Sequence, residues 1–367
     1  MSVPTQPTLR APVVVLGAGA VGGTVGGGLL LGRHEVVFVD PWFQNVETIR
    51  RRGLALTVDG ERRELQATAL YLDELDRMEA RPEVVLLACK SYDTETMVRL
   101  IEPYLAQDGF VVSLQNGINE DRIASLVGPG RTVGCVVHYN AAMPDPAHAV
   151  RLSPSGWHSF TVGELDGREN ERCGRVTALL DCAGPAVSTT DIFGVLWAKL
   201  AFNCMTNALT ASTGLATPEL WASEVAQGTL VRIGAEAALV ARAQGREMQP
   251  LELVATSREL PPDLLVAADA GDEAADREAR TLMTVEATTR AAATSRAPGA
   301  SSMLQDIRKG RRPEIDHLNG YVVREGRRYG IATPANDAVA ELARAVALGE
   351  LPQDPAHLDG FTQTWRG

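Results

Sequence analysis

Cysteine and histidine are scarce in this chain, and neither is spaced to hold a metal. The five cysteines, Cys89, Cys135, Cys173, Cys182 and Cys204, include no Cys-x-x-Cys pair, and the six histidines include no His-x-x-x-His pair. An odd cysteine count without ligand spacing fits reduced, packed thiols, so no structural metal is expected. Positive charge is also in deficit. Against 46 acidic residues stand 35 Lys and Arg, a net charge of −11, which argues against broad nucleic-acid binding. No apolar run approaches the about 20 residues of a membrane span. Residues 1–10 are polar and lack the apolar core of a secretory signal. The expectation is a soluble cytoplasmic protein with neither a nucleic-acid nor a membrane partner.

What is present is enough chain for two domains: 367 residues, 45% of them hydrophobic. The first half opens on Val13-Val14-Val15-Leu16, a β-branched run typical of a buried parallel strand. Gly17-Ala18-Gly19-Ala20-Val21-Gly22 follows at once, then a small-residue helical stretch to Leu31, then a second strand from His34 to Val39. Strand, glycine turn, helix and strand in succession make a dinucleotide-binding unit. Gly17 permits the tight turn, Gly19 lets backbone approach a pyrophosphate, and Gly22 lets the helix pack on the strand. The N–H groups of Ala20 and Val21 open the helix and face the phosphates.

Asp40 ends the second strand, where a carboxylate accepts hydrogen bonds from ribose hydroxyls and repels a 2′-phosphate. It favours NAD(H), with NADP(H) possible; alternatively it only forms a turn ahead of Pro41. Arg50, Arg51 and Arg52 read as helix C-terminal charges or phosphate contacts. Val84 to Cys89 and Phe110 to Leu114 are further buried strands, ending in Lys90 and in Gln115-Asn116-Gly117. Ligands bind at such carboxyl ends, so Lys90 and Asn116 are cofactor candidates, or else a solvated loop charge and a turn. Thr132–Tyr139 and Ser159–Glu164 read as later strands, the second in a hairpin with Ala149–Leu152.

From about Thr190 helical stretches dominate: 193–211, 218–244, 277–295, 301–309, 314–329 and 335–348. The expectation is an α/β protein, an N-terminal Rossmann doubly wound sheet (1–189) followed by a C-terminal all-helical domain (190–367). The acidic stretch 258–278 reads as an exposed excursion between helices. Within Trp197–Asn207, Lys199, Asn203 and Asn207 stand four residues apart and form one row on a largely apolar helix. One protonatable donor and two amides can hold and protonate a small carbonyl compound, although a lysine reaching solvent beside two packing asparagines has the same pattern. Ser301-Ser302 opens a helix after Pro298-Gly299 and is either an N-cap or a carboxylate cradle. Pro313 and Glu314 open the next. Glu314 either favours the helix dipole or orients a lysine. Arg308, Lys309, Arg311 and Arg312 form a basic run beside it, a solvated face or an aid to an anionic ligand.

These blocks resemble the ketopantoate reductase (2-dehydropantoate 2-reductase) family. The likeness rests on Gly17-x-Gly19-x-x-Gly22, Lys90, Gln115-Asn116-Gly117, Trp197-x-Lys199-Leu200-x-x-Asn203-x-x-x-Asn207, Ser301-Ser302-Met303-Leu304-Gln305-Asp306 and Glu314-Ile315-Asp316-x-x-Asn319-Gly320. The resemblance implies reduction of a 2-keto acid by hydride from a nicotinamide cofactor, with Lys199 as general acid. It implies Asn203 and Asn207 on the substrate's polar groups, Ser302 on its carboxylate, and Glu314 in the substrate and lysine network. Asn116 and Lys90 fall on the cofactor side, and a homodimer through the helical domain is also implied. Departures are Asp40-Pro41-Trp42, where family members often carry a basic residue and prefer NADPH, and the extra length near 258–278. The first keeps open an NAD-dependent oxidation of another alcohol or hydroxy acid, with Lys199 as base. A dinucleotide sensor without turnover has no need of the lysine.

Overall fold

The computed structural model describes residues 11–293 and 300–364. The polar start, the last two residues of the helix expected over 277–295, and Pro298-Gly299 lie outside the described residues. Two compact units divide after Ile192.

The first unit runs β1 (Val13–Leu16), α1 (Ala20–Leu31), β2 (Val36–Val39), α2 (Phe43–Arg52), β3 (Leu54–Val58), β4 (Glu61–Leu65), β5 (Thr68–Leu70), β6 (Val84–Leu87), α3 (Thr94–Ile101), β7 (Phe110–Ser113) and α4 (Glu120–Val127). It continues with β8 (Thr132–Val137), β9 (Ala141–Asp145), β10 (His148–Arg151), β11 (Phe160–Glu164), α5 (Glu171–Leu180) and β12 (Ala186–Thr189). The main sheet has the order β12-β11-β8-β7-β6-β1-β2-β5. From β5 to β8 every pairing is parallel, and the order reverses direction at β1. That is the doubly wound Rossmann arrangement, with its switch point at the carboxyl end of β1. β11 joins antiparallel to β8, in register Val162 opposite Cys135.

Ser159–Glu164 therefore does not form a hairpin with Ala149–Leu152. β10 belongs instead to a second sheet of order β4-β3-β10-β9. Ser159–Glu164 is buried throughout, as an inner strand of the main sheet, whereas β10 packs on α1 through Ala149.

That helix lies between the two sheets, and its glycines set the spacing. A Cβ on Gly22 would fall 1.9 Å from the Gly17 carbonyl oxygen, and one on Gly26 2.4 Å from the Phe38 ring, both on the main-sheet side. On the other side, a Cβ on Gly23 would lie 2.8 Å from Ala149 Cβ, and one on Gly27 3.0 Å from Leu56 Cδ2. β4 (ERREL) is exposed along most of its length and covers the edge of the second sheet with charge.

The second unit contains α6 (Ile192–Thr213), α7 (Thr217–Ala222), α8 (Glu224–Ala243), β13 (Leu251–Leu253), β14 (Arg258–Leu260), α9 (Pro262–Asp269), α10 (Glu273–Ala293), α11 (Ser302–Arg308), α12 (Asn319–Tyr329), α13 (Pro334–Ala347) and α14 (His357–Thr364). It is helical with one small hairpin, β13–β14, so it is not entirely helical. The stretch 258–278 is not an excursion: it supplies β14, α9 and the start of α10. Leu260 and Leu265 are fully buried, while Asp263 and Asp269 pair with Arg242 and Arg232 of α8. The acidic residues are the outer face of packed elements. α6 is long and apolar enough to pass for a membrane span, with a mean hydropathy of 1.3, against the expectation that no run comes close. Its apolar window is 83% buried, as in a core helix. The helix expected over 314–329 is broken: Ile315–His317 forms a 3₁₀ turn, and α12 starts only at Asn319.

Replacing Gly26 with Ala tests the spacing. An exposed helix interior would gain up to ~1 kcal/mol from the change, but overpacking a filled core costs ~1–3 kcal/mol. The Phe38 ring is itself fully buried and has no open space to move into, so a net loss is expected, with the melting temperature down by about 2–4 °C in a thermal scan.

Candidate functional site

In the first unit, the glycine loop is built by close approach. Gly17 adopts φ +103°, and a Cβ there would sit 2.6 Å from the Cys89 nitrogen at the end of β6. Gly19, the N-cap of α1, has nothing within 4 Å of where its Cβ would be. The first turn of α1 has no acidic residue and no side-chain cap, so the opening N–H groups, including those of Ala20 and Val21, make a cradle of backbone donors. That cradle fits a pyrophosphate.

Asp40 is buried, 7% exposed. One carboxylate oxygen accepts the Ala18 N–H at 2.6 Å and the other accepts the Trp42 N–H at 2.7 Å. The residue ties the glycine loop to the end of β2. Asn45, fully buried, adds a second tie: its Nδ2 donates to the Ala18 carbonyl at 3.0 Å and its Oδ1 accepts the Ala147 N–H at 2.7 Å. Arg50 and Arg51 pair with Glu47, and Arg50 also with Glu74, so this basic run is engaged at the helix surface.

Lys90 and Asn116 are brought together. Ser91 Oγ donates to the Asn116 carbonyl at 2.8 Å, Asn119 Nδ2 donates to the same carbonyl at 2.9 Å, and Gln115 Nε2 donates to the Cys89 carbonyl at 2.9 Å. The loops after β6 and β7 thus form one hydrogen-bonded rim at the carboxyl edge of the sheet. Sequence reasoning missed Ser91 and Asn119; their only signal was position beside strand ends.

In the second unit, Lys199, Asn203 and Asn207 lie on α6. Both asparagines are 5% exposed, and Lys199 is partly buried. Lys199 Nζ lies 5.4 Å from the centre of the Phe202 ring. Burial pulls its pKa down to about 8; the nearby charge of Arg290 lowers it further and that of Glu252 opposes. Neither Glu252 nor Arg290 was recognised in the sequence, because the hairpin and α10 bring them in from distant positions. Glu286 organises both. Its carboxylate accepts the N–H groups of Ala255 and Thr256 at the hairpin turn, at 3.2 and 3.1 Å, and holds Arg290 Nη2 at 2.6 Å.

Ser301, not Ser302, caps α11: its Oγ accepts the Leu304 N–H at 3.2 Å and shares a hydrogen bond with Thr210 Oγ1 at 2.6 Å. This bond sets the start of α11, where Ser302 is the first helical residue, against α6 one turn beyond Asn207. Glu314 is 5% exposed and precedes the 3₁₀ turn rather than opening a helix. Its segment is anchored by Asn319, whose Nδ2 donates to the Cys204 carbonyl at 3.1 Å, next to Asn203. Lys199, Asn203, Asn207, Ser302 and Glu314 are thus carried by α6 and by segments bonded to it.

A Rossmann sheet with an open glycine cradle, followed by a helical unit carrying a partly buried lysine, defines the class: a dinucleotide-dependent oxidoreductase. Residues 13–167 match the family model described as Ketopantoate reductase PanE/ApbA, and residues 191–347 match its C-terminal companion. The 2-dehydropantoate 2-reductase of Archaeoglobus fulgidus is 30% identical, over 92% of this chain and 98% of its own. That of Caulobacter vibrioides is 29% identical, over 92% and 99%. A PanE/ApbA family ketopantoate reductase from Ralstonia eutropha superposes with TM-score 0.71 at 29% identity, covering 92% of this chain and 98% of that one. D-mandelate dehydrogenase with NADH and anilino(oxo)acetate superposes with TM-score 0.75 at 23% identity over the same shares, a likeness of fold. The chain belongs to the ketopantoate reductase family: it is an oxidoreductase acting on CH–OH groups with a nicotinamide cofactor.

The charges around Lys199 make a direct test. Arg290→Met is expected to raise the pH at which Lys199 loses its proton, and Glu252→Gln to lower it, from the starting point of about 8. The pH dependence of Lys199 acylation, read by mass spectrometry of the labelled peptide, measures both shifts.

Proposed function

We propose that the chain reduces a 2-keto acid of the ketopantoate type to the 2-hydroxy acid, with Lys199 as general acid. The observation that carries the reading is the Lys199–Asn203–Asn207 row on α6, with the ammonium softened to about 8, in a chain of this family. A nicotinamide dinucleotide, its pyrophosphate held at Gly17, Gly19 and Gly22, would supply the hydride. As the ketone oxygen gains negative charge, Lys199 Nζ stabilises it and transfers its proton to that oxygen. Asn203 and Asn207 hold the substrate's polar groups, Ser302 at the start of α11 takes its carboxylate, and Glu314 orients the substrate and lysine. Asn116 and Lys90 serve the cofactor side, together with Gly17, Gly19, Ala20, Val21 and Gly22. A lysine balanced near pH 8 also works as a base, which supports oxidation of a hydroxy acid or alcohol by the same site as the second reading.

NAD(H) is the favoured cofactor. Asp40 holds the Ala18 and Trp42 N–H groups with one oxygen each, at the end of β2 where a carboxylate suits ribose hydroxyls and a 2′-phosphate meets a negative charge.

Initial rates at 340 nm with ketopantoate test the reading. NADH should turn over faster than NADPH, and Asp40→Ala should narrow the gap while weakening both by loosening the glycine loop. kcat/KM for reduction should fall as pH rises through about 8, where Lys199 loses its proton. Lys199→Ala should lose ~10²–10⁴-fold in kcat. No turnover with either cofactor, alongside turnover of hydroxy acids with NAD, would favour the second reading. Gly19→Ala separates binding from folding: its Cβ meets nothing in the protein, so the melting temperature should hold while NADH affinity drops at least ~10-fold, about 1.4 kcal/mol.

A further inference from the structure

Behind the Asn116 rim lies a polar cluster that the chemistry above does not use. Glu120, the first residue of α4, is fully buried. Its Oε2 accepts the Asn119 N–H at 2.9 Å. Its Oε1 has no hydrogen-bond partner among the described residues, and neither has Ser113 Oγ, at the end of β7. A Cβ on Gly134 would lie 3.6 Å from Glu120 Cγ, so β8 closes the other side. An ionised carboxylate in such a place is costly, and the Ser113 hydroxyl, beside it without a hydrogen bond of good geometry, offsets only part of that cost. A proton on Glu120 removes the charge and gives the carboxyl a donor for a neighbouring oxygen.

The cluster is joined to the rim. Asn119, whose N–H Glu120 holds, donates from Nδ2 to the Asn116 carbonyl at 2.9 Å and to Ser91 Oγ at 3.2 Å. Arg122 Nη1 donates to Asn119 Oδ1 at 3.2 Å and to the Ser91 carbonyl at 3.0 Å. A charged acceptor grips an N–H about twice as strongly as a neutral one, so the charge on Glu120 sets how firmly Asn119, and through it Asn116, is held.

We propose that Glu120 is a positioning residue that couples loss of its buried proton to the ordering of the Asn116 loop, and through that loop to dinucleotide binding. The coupling to dinucleotide rests on the assignment of Asn116 to the cofactor side. Burial raises the pKa of Glu120 to about 7, against the backbone N–H groups of Glu120 and Asn119 and the neighbouring Ser113 hydroxyl; Asp121 on the same helix adds to the rise. The Cys135 thiol, on the opposite face of β8, is pushed up by its own burial and by the Glu120 charge. The change therefore falls within the neutral range.

The sign follows from the raised pKa. The folded protein holds a proton that the unfolded chain has released, so the stabilisation is complete below the unfolded value and is lost as pH rises through about 7. Glu120→Gln keeps the neutral shape at every pH. Its melting temperature relative to the unaltered protein should climb between pH 5 and 8. Amide exchange of residues 115–119, corrected for the intrinsic pH dependence, should slow several-fold from pH 6 to 8 in the unaltered protein and stay level in Glu120→Gln. NADH affinity, by fluorescence titration, should follow the same pattern. A flat melting-temperature difference overturns the titration of Glu120. A pH-dependent loop that persists in Glu120→Gln overturns the coupling. A loop that responds while NADH affinity stays level with pH instead overturns the placement of Asn116. If Glu120→Gln does not fold, Ser113→Ala removes a group that holds the transition down and should move the exchange profile to higher pH; no movement counts against the proposal.

Discussion

The thickness of α1 governs the first unit. A helix with ordinary side chains needs about 8–10 Å to its neighbours, but α1 is packed from two directions, by the main sheet through Gly22 and Gly26 and by the second sheet through Gly23 and Gly27. The glycines give up roughly 0.5–1 kcal/mol each in helix preference. In return, β1 and β10 both reach the helix backbone, and the hydrophobic cluster runs without interruption from Val15 and Phe38 across to Leu56 and Ala149. This is also why the cradle works. A helix held on two sides presents its N-terminus in one orientation, and Asp40 and Asn45 then need only fix the short loop that leads into it.

Buried charge is handled in a consistent way throughout both units. Glu236 accepts the N–H groups of Ala335 and Asn336 at 2.8 and 2.9 Å and so caps α13. Glu286 does the same for the hairpin turn, and Asp40 for the glycine loop. Arg151, 5% exposed, is the cationic counterpart: it donates to the carbonyls of Ser153, Pro154 and Ala183 and stacks on Tyr139, with its guanidinium 4.4 Å from the ring centre. Each of these groups replaces water by fixed backbone dipoles, the condition under which buried charge is tolerated. Lys199 and Glu120 differ, and both have pKa values drawn toward neutrality. Backbone dipoles favour the charged form, but against a burial that still raises the Glu236 pKa; at Lys199 and Glu120 burial brings the loss of the proton to about 8 and about 7.

The parts legible in the sequence were those with a local cause. The run Val13–Leu16 followed by three glycines can be read because the strand, the turn and the helix start are consecutive in the chain. The row on α6 can be read because helical spacing fixes which residues share a face. The second sheet could not be read this way. β4 is charged along its length, and β3 pairs in parallel with β10, some ninety residues later. The acidic stretch misled for a related reason: Asp263 and Asp269 suggest solvent, and their partners Arg242 and Arg232 are known only once α8 and α9 are side by side. Pro313 and Glu314 carried the signs of a helix start, yet the backbone takes a single 3₁₀ turn first, because Asn319 is drawn into the buried bonds to Cys204 and Asn336.

The surroundings of Lys199 show what such non-local assembly adds. The row of lysine and asparagines exists in the sequence of one helix, but a lysine on a helix is ordinarily a strong, unreactive cation with a pKa near 10.4. What lowers it here is desolvation by the packing of the second unit, with Arg290 pressing in the same direction and Glu252 restraining it. Both of those charges stand where they do because Glu286 holds the hairpin turn and Arg290 with one carboxylate. The place of this lysine in its row is thus a property of eleven consecutive residues on α6. Its lowered pKa is set first by burial in the second unit and then by charges on the hairpin and α10, elements that lie in a part of the chain where the sequence shows only acidic and alanine-rich composition.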